Sequence, residues 1–227
     1  MSDKALNPAT LELTQKIQLH FPRGIRAEIL CDWNGAPAEL ISAKLLELFG
    51  NSPVVEEMKR KLNLLHLKPV TSDGRNGHQF IEVGEHNGLR FDDWAKNAMT
   101  VGRDAKGNLI VTGSSGVVYK PVVIKGGEFE DNERVTSNIR KVAEAQKLVT
   151  PPWWLAPLLR EKVSDSEILA MGLDWLIVMH EPITDSVGYP FLLGLRRSVG
   201  RCLSASYGDP TVGWLRRVGF VFLAPQE

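Results

Sequence analysis

The sequence predicts an α+β protein: an N-terminal helical region with one strand, then a C-terminal antiparallel sheet packed by helices. Three observations carry that expectation. Four apolar stretches, Trp175–His180, Phe191–Arg196, Cys202–Tyr207 and Val218–Leu223, are separated by segments rich in Gly, Pro, Asp and Ser, the pattern of strands joined by turns. Upstream, the apolar residues recur instead at helical spacing. The chain of 227 residues is 43% hydrophobic and holds six Trp, so it can bury a real core and is not a disordered chain.

Asn7-Pro8 reads as an N-cap followed by proline at the first helical position, and a helix from Pro8 to His20 places Leu13 and Ile17 on one face. Ile25, Ala27, Ile29, Cys31 and Trp33 alternate with Arg26 and Glu28, a half-buried strand. Pro37 opens a second helix with a stripe of Leu40, Ile41, Leu45 and Leu48, capped by Gly50. Ser52-Pro53 starts a third, with Met58, Leu62 and Leu65 inward.

Residues 71–90 are rich in Gly, Asn, Asp and His and read as an irregular linker between a helix-rich region, 1–70, and an α+β domain, 91–227. In that domain, Ala98–Gly102 and Leu109–Thr112 flank Arg103–Asn108 like a hairpin, and Val117–Ile124 suits a strand. Asp131 caps a helix running to Lys147, with Ile139, Val142 and Ala143 on its stripe. Thr150-Pro-Pro-Trp-Trp154 leads into a helix from Leu155 to Lys162. The four apolar stretches then form one antiparallel meander.

Composition excludes several function classes. Lys plus Arg equal Asp plus Glu at 27 each, so whole-chain charge favours neither nucleic acid nor membrane. No basic segment leads into an apolar stretch at the N-terminus, and no apolar run reaches the roughly 20 residues that cross a bilayer. A soluble, cytoplasmic protein without membrane partners is expected. Cys31 and Cys202 are far apart and read as small buried hydrophobes of a reducing compartment.

The motifs yield few chemical candidates. Gly113-Ser-Ser-Gly116 with Lys120 is not a phosphate loop, because the Lys does not follow the last Gly and Val117-Val118 favour a strand. His78, Glu82, Glu85 and His86 are metal-ligand types, but glycines surround them and they read as a solvated polar loop, so no metal and no cofactor are expected. Glu181 and Asp185, with Ser186, surround a turn leaving an apolar strand. Two carboxylates near a hydroxyl suit acid–base work, and the same residues suit a structural turn. His180 lies next to Glu181, but adjacent strand residues point to opposite faces.

Arg196, Arg197, Arg201, Arg216 and Arg217 concentrate positive charge near the C-terminus. Meander logic pairs Arg197 with Arg201 across a hairpin turn and puts Arg217 roughly 20 Å away, one strand length. Spread in that way, the arginines would track an extended phosphate backbone; otherwise they form a solvated edge. Trp153 and Trp154 suit either a core or an anchor for a protein partner, with core favoured for at least one. The leading functional expectation is a non-enzymatic binding or interaction module with a protein partner. The alternatives are a hydrolase using Glu181 and Asp185, and a nucleic-acid-associated accessory protein using Arg197, Arg201 and Arg217.

Overall fold

The computed structural model describes residues 62–111, 113, 115–185, 187–197 and 200–225. The expected helices and strand between Pro8 and Lys61 lie outside the described residues, but the third helix was expected to include Leu62 and Leu65, and Leu65–His66 instead form a strand paired with Val122 and Val123. The chain divides into compact units at 1–56 and 57–227, and the second contains every element below.

In chain order the first elements are β1 (Leu65–His66), β2 (Val70–Thr71), α1 (Gly77–His86), β3 (Arg90–Phe91), α2 (Asp93–Val101), β4 (Val118–Tyr119) and β5 (Pro121–Lys125). A 3-10 turn at Gly126–Glu128 precedes α3 (Thr136–Ala145), α4 (Leu155–Lys162) and α5 (Asp165–Ala170). The last strands are β6 (Trp175–Val178), β7 (Ile183–Thr184), β8 (Pro190–Arg196), β9 (Cys202–Tyr207) and β10 (Val218–Leu223).

The sheet is mixed, which corrects the expected antiparallel meander. Its order is β1-β5-β10-β6-β8-β9-β3, with β7 beside β8, while β2 and β4 form a separate pair. β10 runs parallel to β6 and β3 parallel to β9; the other pairs are antiparallel. The chain from Gly208 to Arg217 therefore does not fold β10 back onto β9. It carries β10 past β8 and β6, to lie between β6 and β5. Burial explains the placement. All six residues of β10 are buried, whereas β9 ends half-buried and exposed. A strand apolar on both faces gains most in the middle of a sheet covered on both sides.

Both faces are covered. On one, Leu176, Leu193, Leu195, Leu203 and Val221 pack with Phe80 of α1, Ala95 and Met99 of α2 and Leu155 and Leu159 of α4. On the other, Val122, Ile124, Ile177, Leu192, Phe220 and Phe222 pack with Ile139 and Val142 of α3 and with Phe129 and Trp214. Gly194 is required here: a Cβ would lie 2.5 Å from Nε1 of Trp175 and 2.6 Å from Cδ1 of Ile177.

Residues 77–86, expected inside an irregular linker, form α1. A capping box starts it: the Asn76 side chain accepts the Gln79 N–H at 3.0 Å, and the Gln79 side chain accepts the Asn76 N–H at 2.9 Å. Those two bonds, with Phe80 buried beneath the Arg75 guanidinium, outweigh the poor helix propensity of its glycines. His78, Glu82, Glu85 and His86 are exposed on this helix. The predicted hairpin strand Ala98–Gly102 is instead the end of α2, capped at its start by Asp92, whose carboxylate accepts the Ala95 N–H at 2.7 Å. The same carboxylate accepts the Ala205 N–H on the outer edge of β9, so one aspartate both starts a helix and occupies an open edge donor.

Candidate functional site

Because β6 and β10 run parallel, their carboxyl ends share one rim of the sheet. In open α/β sheets that rim is where ligands bind. A cleft of about 790 Å³ opens there. Leu223 ends β10 at its floor, and the segment from His180 to Ile183 leaves β6 along one side. Ile110, Val111 and Tyr119 also line it, with the Pro151-Pro-Trp-Trp154 segment.

The tryptophan pair is held by its own polar atoms. Trp153 is buried and its Nε1 donates to the Val111 carbonyl at 3.1 Å. Trp154 is half-buried and its Nε1 donates to the Tyr119 hydroxyl at 3.1 Å. The two rings meet edge to face at 5.9 Å, and Trp153 meets Phe80 the same way at 6.3 Å. Gly113 admits the Trp154 ring, since a Cβ there would come within 2.3 Å of it. Val149 fastens the segment to the sheet, exchanging both backbone hydrogen bonds with Leu223 at 2.9 Å.

His180 is buried and both ring nitrogens are committed to backbone. Nε2 accepts the Leu193 N–H at 2.9 Å, so the proton sits on Nδ1, which donates to the Glu181 carbonyl at 2.6 Å. Burial pushes its pKa down to about 4; the Glu181 carbonyl opposes this and the Arg140 charge adds to it. The ring is therefore a neutral structural clasp between β6 and β8. Arg140 of α3 donates to the carbonyls of Met179 and His180 from the other face of the sheet. Burial lowers the Arg140 pKa, and the nearby Glu181 carboxylate partly offsets it.

Glu181 is exposed at the cleft, whereas Asp185 does not line it. Oδ1 of Asp185 accepts the N–H groups of Val187 and Tyr189, each at 2.9 Å, closing the turn into β8. The two carboxylates thus serve different places. Ser186 lies outside the described residues. Asp185→Ala is expected to cost about 1 kcal/mol, the usual worth of such bonds, read as a lower melting temperature. Asp104 also lines the cleft, but its carboxylate accepts the N–H groups of Asn108 and Lys106; these hold its pKa below the usual carboxylate range.

The arginines are arranged by the parallel pairing and not by a meander. Asp174 precedes β6, Arg217 precedes β10 beside it, and Arg197 follows antiparallel β8 on its other side. One carboxylate therefore holds Arg197 at 2.7 Å and Arg217 at 3.0 Å, replacing the expected separation of a strand length. Arg201 instead donates to the carbonyls of Arg160 and Glu161 at the C-terminal end of α4, and the Arg196 guanidinium lies over the Trp175 ring.

Comparison with protein-family models, with curated proteins and with solved structures returned no match. The site rests on its own geometry. Sequence reasoning singled out Trp153, Trp154 and Glu181 but did not join them, because the parallel β6–β10 pairing that brings them to one rim has no local signature. Arg140 was missed altogether. Its place beside the apolar stripe of α3 points it at strand ends that only the packed sheet supplies. Among the described residues, no helix is long and apolar enough to cross a membrane.

Proposed function

We propose that this chain is a non-enzymatic binding module that takes an aromatic or alicyclic small molecule, with a cationic or hydrogen-bond-donating end, into the cleft at the β6–β10 rim. One observation carries the reading. The walls are mainly apolar and aromatic, while the ring nitrogens of His180, the indoles of both tryptophans and the Asp104 carboxylate bond to the protein itself. Glu181 and Asp104 are then the two carboxylates that line the cleft, and Glu181 is the exposed one. Its volume of about 790 Å³ falls in the range of small-molecule pockets. A cytoplasmic setting agrees with the buried, unpaired thiol of Cys202.

The test is a thermal-shift and fluorescence panel of aromatic amines such as tryptamine, set against carboxylates and alcohols of the same shape. The amines are expected to raise the melting temperature most, and Glu181→Gln to reduce that preference, with the Asp104 carboxylate still lining the cleft. Val149→Trp, which places bulk at the exposed lining of the cleft, is expected to weaken binding at least about tenfold, or about 1.4 kcal/mol. No binding by any member of the panel, or binding that Val149→Trp leaves intact, would overturn the proposal.

A further inference from the structure

Farther along the same rim, three large rings stand partly in water. Phe191 and Tyr207 face each other across β8 and β9, on the sheet face that α2 covers. Trp94, in the first turn of α2, lies on Phe191 with ring centroids 5.0 Å apart. Tyr189 meets Tyr207 edge to face at 6.1 Å. These contacts join the rings into one row, yet Trp94, Tyr189 and Tyr207 remain 56%, 52% and 42% exposed. Single exposed apolar residues need no explanation, but a continuous aromatic row marks a surface that something covers.

The charges around the row indicate what covers it. Asp93 precedes Trp94, Asp185 accepts the Tyr189 N–H, and Asp209 lies two residues beyond Tyr207. Of the nearby cations, Lys96 pairs with Glu85 at 2.6 Å and is felt more weakly by Asp93, and the Arg103 guanidinium donates to the Gly107 carbonyl at 2.8 Å. Ring faces are negative and so are the three carboxylates. A planar guanidinium satisfies both at once, stacking on a ring while its N–H groups reach a carboxylate. Oδ1 of Asp185 and of Asp209 accepts turn N–H groups, but their negative charge remains, and a neutral sugar would use the rings and leave that charge unmatched.

We infer that the Trp94–Tyr189–Tyr207 row is a docking surface for an extended, arginine-bearing segment of a partner protein. The surface is separate from the cleft, so either can fail without the other.

The probe is a blocked peptide of alternating Arg and Pro, compared by calorimetry with its Gln-Pro counterpart and with cellohexaose. The Arg peptide is expected to bind and to weaken as salt rises from about 50 to 300 mM, because ion pairing is screened. Trp94→Ala is expected to weaken it at least about tenfold, as loss of an aromatic anchor does. Trp94→Phe should restore part of the affinity and Asp93→Asn should narrow the preference for Arg over Gln. The cleft variant Val149→Trp should leave this binding unchanged. Equal binding of the Arg and Gln peptides, preferential binding of cellohexaose, no binding at about 1 mM peptide, or unchanged affinity in a folded Trp94→Ala variant would each overturn the inference.

Discussion

Phe220→Ala is expected to lower the free energy of unfolding by about 3–5 kcal/mol, the usual cost of deleting a large core aromatic. Phe220 is 0% exposed at the middle of β10, paired with Ile124 on one side and Ile177 on the other. Its ring meets Phe129 at 6.2 Å and Trp214 at 5.9 Å, both edge to face. Its neighbours belong to two strands, a loop and the long β9–β10 connection, so they cannot all close on the vacated space. Collapse would also disturb the one strand that joins β5 to β6. Urea unfolding followed by circular dichroism measures the effect. A variant that unfolds at the parent's urea midpoint would show that the second face of the sheet is not the core described here.

Acidification should destabilise the fold by about 3 kcal/mol through His180 alone, at about 1.4 kcal/mol per pKa unit. The sign follows from the bonding. Folded, the ring is neutral with a pKa of about 4; unfolded, it returns to the ordinary value of 6.5. Between those values the unfolded chain binds the extra proton, so the stabilisation is complete above about pH 6.5 and is lost as pH falls towards 4. Asp174, held by Arg197 and Arg217, and Asp73, held by Arg75, both have pKa values below the usual carboxylate range. Their contributions disappear only below that range, so the two windows separate. His180→Gln should be less stable at neutral pH, because it loses the Nδ1 bond, and its unfolding free energy should be nearly flat between pH 6.5 and 4.5. A parent protein equally stable at pH 7 and pH 4.5 would contradict the buried neutral ring.

The structure is also informative about which kinds of inference the chain permits. The helix expected over Leu155–Lys162 has those bounds, the strands expected from Trp175, Cys202 and Val218 start there, and β8 starts one residue before Phe191, at Pro190, while β6 ends at Val178, two residues short of His180. Both are local: helical spacing, proline before the helix and Gly, Asp or Ser between strands act within a few residues. Helix α1 shows the limit of composition, since a segment rich in Gly and Asn was ordered by one capping box and one buried Phe. The tryptophan pair was conspicuous in the sequence, but its partners Val111, Tyr119 and Gly113 lie about 40 residues away and carry no mark of it.

By itself, the amino-acid order determined where most strands and two helices, α3 and α4, of residues 91–225 lie, and that its strands are apolar enough to be buried. The antiparallel neighbours β6–β8 and β8–β9 follow the expected meander, and tertiary structure decided where β10 goes. Placing β10 between β5 and β6 hid an apolar strand on both faces, and that non-local gain made the pair parallel. The same pairing gathered Asp174 with Arg197 and Arg217 at one end of the sheet. At the other it brought Glu181 and the Trp153–Trp154 segment to one cleft. Turn chemistry acts over a few residues, whereas burial of both faces is settled only when the whole sheet is assembled.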